Sequence, residues 1–171
     1  MIAEDTKQMI RVDQAGEYGA ARIYAGQLAV MGNRHPASRS IRHMAAQEQR
    51  HLDTFNALIA ERHVRPTILQ PVWHVAGFAL GAVTAAIGPE AAMACTAAIE
   101  TEIDRHYSEQ LASLGDASPE LSATIAEFRD EELEHKATAL AQGAERAPAY
   151  PLMSAAIRFG CRAAIALSKR V

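Results

Sequence analysis

The chain has 171 residues, of which 49% are hydrophobic, 22% charged and 5% aromatic, a composition typical of a soluble single-domain protein. Its formal net charge is −3 and it has no basic run with interleaved aromatic residues, which argues against nucleic acid as a partner. The N-terminal stretch MIAEDTKQM is acidic and polar, unlike a secretory signal or an Arg-rich transit peptide, so we expect a cytosolic location.

Apolar residues recur at alternating spacings of three and four along most of the chain, which predicts an all-α fold. Short Gly- or Pro-containing turns join the first two main helices and the last two, whereas a long connection with Pro71 and Pro89 separates these pairs. This order is typical of a ferritin-like four-helix bundle with one long crossover. The predicted helices, including one in the crossover and one at the C-terminus, span residues 6–31, 36–62, 72–88, 89–114, 119–142 and 152–171 of a single domain, 1–171.

Polar residues interrupt the apolar faces of two predicted helices in the same way. Glu48 and His51 occupy positions between Met44 and Phe55 that helical spacing assigns to the core, and Glu132 and His135 do the same in their helix. In each Glu-x-x-His motif the three-residue spacing directs both side chains to one side of the helix. The motif alone is weak evidence, but its placement on two apolar faces indicates buried, functional side chains.

Each Glu-x-x-His motif has a partner glutamate one helix upstream. Glu17 precedes Glu48 by 31 residues and Glu100 precedes Glu132 by 32, so the two halves of the chain repeat. Each buried carboxylate without a compensating partner costs about 2 kcal/mol or more. Cations shared among the carboxylates are the simplest way to compensate their charge. Such a ligand set is typical of di-iron and di-manganese carboxylate bundles, and oxygen-rich sites with two imidazoles suit Fe or Mn. The predicted metal ligands are Glu17, Glu48, His51, Glu100, Glu132 and His135.

Several other polar residues have two readings. Asp13 could accept the free N–H of a ligating histidine, or it could be an acid of the first helical turn favoured by the helix dipole. Tyr24 is expected to be a core residue. In the charged run 128–135 we expect Asp130, Glu131 and Glu134 to face solvent or to pair with Arg129 and Lys136. The cysteines, Cys95 and Cys161, have no metal-binding spacing and are expected to be buried and reduced; His35, His43 and His63 are expected to be solvated, and His74 stays open.

Most of the chain closely resembles the 5-demethoxyubiquinone hydroxylase family of ubiquinone biosynthesis. The stretches that carry this resemblance are RVDQAGEYGAARIYAGQ (11–27), EQRHLDTF (48–55), WHVAGFALGAVTAAIG (73–88), AMACTAAIETEIDRHYSEQ (92–110), FRDEELEH (128–135) and GCRAAIALSKR (160–170).

The resemblance implies a di-iron, dioxygen-dependent monooxygenase that hydroxylates the ring of a polyprenyl methoxy-methyl-benzoquinone or its quinol. It implies that the two irons are held by the six residues already singled out, with Glu48 and Glu132 bridging and with Glu17 and Glu100 as outer ligands. NADH is the implied electron donor, although no Gly-rich dinucleotide motif is present. For His106 and Tyr107 the resemblance implies a position close to the metals, as a proton or electron relay or as supporting residues, while a plain core Tyr is the alternative.

The crossover raises the question of how a long-tailed quinone reaches the site. Residues 66–89 contain no Asp, Glu, Lys or Arg, but they are too short and too proline-bounded for a confident membrane span. They form either a small-residue helix packed on the bundle or an interfacial helix that admits the isoprenoid tail, and the resemblance favours the second. The resemblance thus implies a peripheral protein on the cytoplasmic side of the inner cell membrane, with a second copy or an accessory lipid-binding protein as candidate partners. Arg158, Arg162 and Lys169 share a face of the last helix that could attract anionic headgroups or simply be solvated.

Alternative functions for such a bundle stay open at this point. A rubrerythrin-like peroxidase would usually add a CxxC…CxxC module, which is absent. A manganese catalase would share the ligands but would not explain the charge-free crossover, and a tRNA-hydroxylating enzyme would need a basic face. A ferritin-like iron store and a structural bundle without metal are the remaining alternatives.

Overall fold

A computed structural model describes residues 4–33, 35–115 and 117–171, and within these ranges it contains helices and no strands. The all-α prediction is therefore confirmed. The helices are α1 (Glu4–Met31), α2 (Ser38–Glu61), α3 (Gln70–Ile87), α4 (Pro89–Leu114), α5 (Pro119–Ala141) and α6 (Tyr150–Ser168), with one 3-10 turn at Ala144–Arg146.

Glycine and proline set most of the helix boundaries, as the sequence pattern predicts. Gly32 ends α1 with a φ of 64°, a conformation that costs glycine little because it has no Cβ. Gly88, with a φ of 153°, separates α3 from α4, and Pro89 then begins α4 at a position where a missing N–H does no harm. The crossover and C-terminal helices each begin two residues earlier than predicted, and α1 begins at Glu4 rather than at residue 6.

The four long helices pack as two hairpins, α1 with α2 and α4 with α5. Two apolar clusters fill the bundle on either side of its polar middle. One contains Phe55 and Phe128, and the other contains Ile41 and Met44. The predicted metal ligands lie between these clusters, where apolar side chains separate them from water at both ends.

The crossover helix α3 packs against α1 through glycines. A Cβ on Gly81 would lie 1.9 Å from the carbonyl oxygen of Ile23, and one on Gly77 would lie 2.8 Å from that of Gly19. The backbones of the two helices therefore approach more closely than larger residues would allow. Helix α6 packs mainly against α4.

Candidate metal centre

The structure brings all six predicted ligand residues together in the middle of the bundle, and none is more than 2% exposed. Their donor atoms form two groups whose members lie within 4.8 Å of one another, and each group could hold a metal ion. Glu48 and Glu132 belong to both groups. The first group is Glu17, Glu48, His51 and Glu132, and the second is Glu48, Glu100, Glu132 and His135.

The chemistry of this cluster fits metal ions. Eight of its buried oxygen and nitrogen atoms have no hydrogen-bond partner, although buried polar atoms in proteins are nearly always paired. They include both carboxylate oxygens of Glu48 and of Glu132 and the Nδ1 atoms of both histidines. Such atoms require a cation or protons, and their number and convergence favour a two-metal site.

The pKa values of the cluster also show that its buried charges lack full compensation. Burial raises the pKa of Glu48 well above its usual range, and the carboxylates of Glu132 and Glu17 raise it further. Burial alone would raise the pKa of Glu132, but its close contacts with His135 and His51 lower it to about 2. Burial would lower the pKa of His51, whereas its contacts with Glu132 and Glu17 raise it to about 10. Without metal the carboxylates are thus held together by protons, which bound cations would displace.

Two tyrosines link Glu17 and Glu100, each of which belongs to one donor group only, to the opposite hairpin. The hydroxyl of Tyr24 on α1 donates to Glu100 Oε1 on α4 at 2.9 Å, and that of Tyr107 on α4 donates to Glu17 Oε1 on α1. In both helices the tyrosine follows the glutamate by seven residues, so the internal repeat includes these crossed bonds. Tyr24 is buried as expected, but its bond to Glu100 was missed, and the repeated spacing could have revealed it.

The far nitrogens of the two histidines have different partners. His51 Nε2 lies 2.8 Å from Glu131 Oε2, whereas His135 Nε2 lies 3.1 Å from the amide oxygen Oε1 of Gln47. The expectation that Glu131 faces solvent or pairs with Arg129 or Lys136 is wrong, because its side chain is only 20% exposed and its carboxylate bonds to His51 and Arg50 of α2. Burial would raise the pKa of Glu131, but its bonds with His51 and Arg50 lower it.

Asp13 has neither of the two predicted roles, as acceptor for a ligating histidine or as an acid of the first helical turn. It lies well inside α1 rather than in the first turn, and both ligand histidines bond to other residues. Instead, Asp13 Oδ1 lies 3.1 Å from His106 Nε2 and accepts a hydrogen bond of 2.7 Å from Gln110. Burial raises the pKa of Asp13 despite the hydrogen bond from His106. His106 and Tyr107 therefore extend the polar centre towards one side of the bundle.

An apolar cavity of about 540 Å³ adjoins this side of the centre. Glu17 and Tyr107 line its inner end, and helices α3 and α6 form two of its walls. Lining residues on both helices, Ala76 of α3 and Ala156 and Gly160 of α6, are exposed, so the cavity opens to the surface between α3 and α6.

Two further expectations for α6 need correction. Arg158 Nε and Arg162 Nη1 donate to Glu102 Oε1 on α4 at 2.6 and 2.9 Å, so these guanidinium groups are neither free for headgroups nor merely solvated. Cys161 is half-buried and lines the cavity rather than lying in the core, whereas Cys95 is buried as expected. Both thiols are free, and burial raises the pKa of each to about 12.

The remaining histidines lie away from the centre. His43 and His63 are exposed and His35 is half-buried, near the ends of their helices or in the connections. His74 Nδ1 lies 2.6 Å from the hydroxyl of Tyr18 on the outer surface, where α3 meets α1.

The fold and the site together define a ferritin-like helical bundle with a buried carboxylate–histidine centre that could hold metal. Comparison with known families matches residues 4–168 to the family described as ubiquinone biosynthesis protein COQ7. The chain belongs to this family.

Curated relatives support the same assignment. The chain is 57% identical over 164 residues to the 3-demethoxyubiquinol 3-hydroxylase of Rhodospirillum rubrum, covering 96% of this chain and 77% of the relative. It is 54% identical to the mitochondrial NADPH-dependent 3-demethoxyubiquinone 3-hydroxylase of Mus musculus, covering 95% and 76%. It is 44% identical to the mitochondrial 5-demethoxyubiquinone hydroxylase of Saccharomyces cerevisiae, covering 96% and 77%. All three relatives are named as hydroxylases of demethoxyubiquinone or demethoxyubiquinol.

Proposed function

We propose that this protein is a di-iron, dioxygen-dependent monooxygenase that hydroxylates the ring of a polyprenyl demethoxyubiquinone or its quinol. The observation that carries the proposal is the convergence of eight buried, unpaired donor atoms beside an apolar cavity. The names of the relatives supply the substrate class.

In this proposal Glu48 and Glu132, which belong to both groups of donors, would help to hold both irons, and each iron would also be held by one histidine and one further glutamate. Glu17 and His51 would hold the iron nearer the cavity, and Glu100 and His135 would hold the other. A bound, reduced di-iron centre would supply the activation of dioxygen, with one oxygen atom entering the quinone ring and the other leaving as water.

The residues around the cavity would orient the ring and control protons. Tyr107 donates its hydroxyl proton to Glu17, and burial together with the charge of Glu17 raises the pKa of Tyr107 well above its usual range. This hydroxyl therefore stays protonated at neutral pH and holds one outer ligand in place. We propose that Tyr107 and His106, which bonds to Asp13, support the centre and relay protons at its cavity side.

The cavity walls would accept the quinone and exclude water. A volume of about 540 Å³ is in the range of small-molecule pockets, about 300–1,000 Å³, so it suits a substituted ring and the first part of a tail. The rest of a polyprenyl tail would leave through the opening between α3 and α6.

Exposed apolar side chains on the helices that flank this opening favour peripheral attachment to a membrane. Val75 and Val83 on α3 are 67% and 58% exposed, and Leu152 and Phe159 on α6 are 73% and 68% exposed. Among the described helices α3 is long and apolar enough to cross a membrane by length and composition, but it packs along α1. We therefore propose that α3 and α6 lie on the surface of the cell membrane, on its cytoplasmic face.

Each hydroxylation also needs two electrons from outside the chain. The family resemblance implies NADH as the donor, whereas the mouse relative is named as NADPH-dependent. We propose a reduced nicotinamide as the donor, bound without a Rossmann unit.

The substitution Glu132→Gln tests this function. It should remove a shared ligand, so that bound iron and quinone hydroxylation are both lost, while the metal-free chain stays folded because Gln keeps the size of the side chain and an oxygen that can accept a hydrogen bond from His51 or His135. Iron per chain, product formation by chromatography and circular dichroism measure these outcomes. Glu134→Gln, an exposed change on the same helix, is the control and should behave like the wild type.

Full hydroxylation by the Glu132→Gln variant would contradict the assignment of Glu132 as a metal ligand. Wild-type protein that binds and oxidises iron without hydroxylating the quinone would instead favour the iron-storage alternative.

A further inference from the structure

The two histidines of the centre face the carboxylates in the same way but are held from behind by different groups. His51 Nδ1 lies 3.1 Å from Glu132 Oε1 and 3.5 Å from Glu17 Oε2. His135 Nδ1 lies 2.9 Å from Glu132 Oε2. If Nδ1 of each ring binds metal, its proton must reside on Nε2, which then donates to the partner behind the ring.

The partner behind His51 is a fixed negative charge. Glu131 Oε2 lies 2.8 Å from His51 Nε2, and its other oxygen, Oε1, accepts a hydrogen bond from Arg50. Arg50 is held in turn by Glu127 at 2.9 Å. The partner behind His135 is the neutral amide oxygen of Gln47, 3.1 Å from Nε2.

We propose that Glu131, fixed by Arg50, is a positioning residue that orients His51 and makes the metal site beside the cavity electronically different from its neighbour. The inference rests on the proposed di-iron function. It assigns a role to a residue that lies outside both groups of candidate ligands.

The physical basis is the charge of the hydrogen-bond acceptor. A carboxylate behind a ligating imidazole fixes its tautomer and ring orientation and increases electron donation to the metal. An amide fixes the ring as well, but it carries no charge, and hydrogen bonds to ionised groups are about twice as strong as neutral ones. The site that contains His51 and Glu17 should therefore bind metal more tightly and favour its oxidised state. Since Glu17 lines the cavity, this is the site that would face the quinone.

Anaerobic titration of the metal-free full chain with Fe(II) tests the inference. The wild type should bind two ions per chain with different affinities. Glu131→Ala should weaken the tighter site by about 10- to 100-fold, the usual cost of losing such a partner. Glu131→Gln keeps an acceptor behind His51, so it should restore most of the affinity, yet the reduction potential of the loaded centre should become more positive because the charge is missing.

Two variants serve as matched comparisons. Glu127→Gln also removes one negative charge beside Arg50, but it lies one helical turn from Glu131, makes no contact with His51 and keeps an amide oxygen that can accept a hydrogen bond from Arg50. It should therefore match the wild type in Fe(II) affinity and reduction potential. Gln47→Glu places a carboxylate behind His135 and should reduce the difference in Fe(II) affinity between the two metal sites.

The outcomes separate the two proposals. Two Fe(II) ions bound by the wild type, with unchanged affinities and potential in Glu131→Ala, would overturn the role of Glu131 alone. An equal effect of Glu127→Gln would also overturn it, since surface charge would then be the cause. Wild-type protein that binds fewer than two ions would overturn the di-iron function and this inference together.

Discussion

Neighbouring acidic residues of α5 have opposite surroundings, and the difference follows from their angles around the helix. Glu132 points into the bundle and is fully buried, Glu134 is exposed, and Glu131 lies at the boundary between these faces. Successive residues of a helix are about 100° apart, so helical spacing predicts the buried and the exposed residue. The role of the boundary residue depends on the side chain that the neighbouring helix presents, here His51, which spacing does not reveal.

Glu102 is a second buried acid whose partners only the folded chain brings together. Its carboxylate is covered by Arg105, Arg158 and Arg162, which come from α4 and α6 and are roughly half-exposed. Burial alone would raise the pKa of Glu102, but the arginines lower it below its usual value of 4.5. A lowered pKa means that this carboxylate stabilises the fold above pH 4.5, and the contribution is lost as the pH falls through the folded-state value.

We expect Glu102→Gln to reduce the free energy of unfolding at pH 7 by about 1–2 kcal/mol, discounted because the arginines are partly solvated. The difference from the wild type should shrink towards pH 3, because the stabilisation that goes with the lowered pKa of Glu102 is progressively lost as the pH falls below 4.5. Urea denaturation of the metal-free proteins at both pH values measures this. Glu109→Gln, which removes an exposed partner of Arg105, should change stability little. An equal loss at pH 7 and pH 3 would show that charge is not the cause.

Among the helices, α3 best shows how small residues determine packing. It joins the two hairpins, and its glycines Gly77 and Gly81 lie against the backbone of α1, while Gly26 of α1 lies against that of α3. The two readings of the crossover are therefore compatible: one face of α3 packs on the bundle, and Val75 and Val83 on the other are exposed.

Gly81→Ala should destabilise the protein, because its Cβ would lie 1.9 Å from the carbonyl oxygen of Ile23 and the helices would have to separate. We expect a loss of about 1–3 kcal/mol, the usual range for overpacking. Thermal and urea denaturation measure the change. Gly160→Ala is the matched control in α6, where a Cβ meets nothing within 4 Å, and it should be neutral or stabilising by up to about 1 kcal/mol. A Gly81→Ala variant as stable as the wild type would contradict the close packing of α1 and α3.

On the scale of the whole molecule, the polar centre, the cavity and the exposed apolar residues follow one another from inside to outside. Glu17 and Tyr107 line the inner end of the cavity, α3 and α6 form walls of its opening, and Val75 and Phe159 are exposed on those helices. No single helix contains this arrangement, since α1, α3, α4 and α6 each contribute one part of it.

Phe159→Asp should weaken binding to anionic phospholipid vesicles. Burying an aromatic side chain is worth about 1.5–3 kcal/mol, so its loss should reduce affinity by at least about tenfold. Vesicle co-sedimentation measures binding, and turnover of a long-tailed quinone should fall more than that of a short-tailed one. Ala137→Asp introduces the same charge at an exposed position of α5 and is the control. Unchanged vesicle binding, with a smaller assembly by size exclusion, would indicate that Phe159 contacts a second copy instead.

The helices and the six candidate ligands could be predicted from the sequence because helical periodicity is local: residues three and four apart share a face whatever the rest of the chain does. The same holds for the internal repeat and for the glycine and proline boundaries. Four other features could be found only in the folded structure. They are the crossed tyrosine hydrogen bonds, the pairing of Glu131 with His51, the ion pairs of Arg158 and Arg162 with Glu102, and the cavity. Each depends on how far one helix is rotated and shifted against another, and that is set by packing among side chains far apart in the chain.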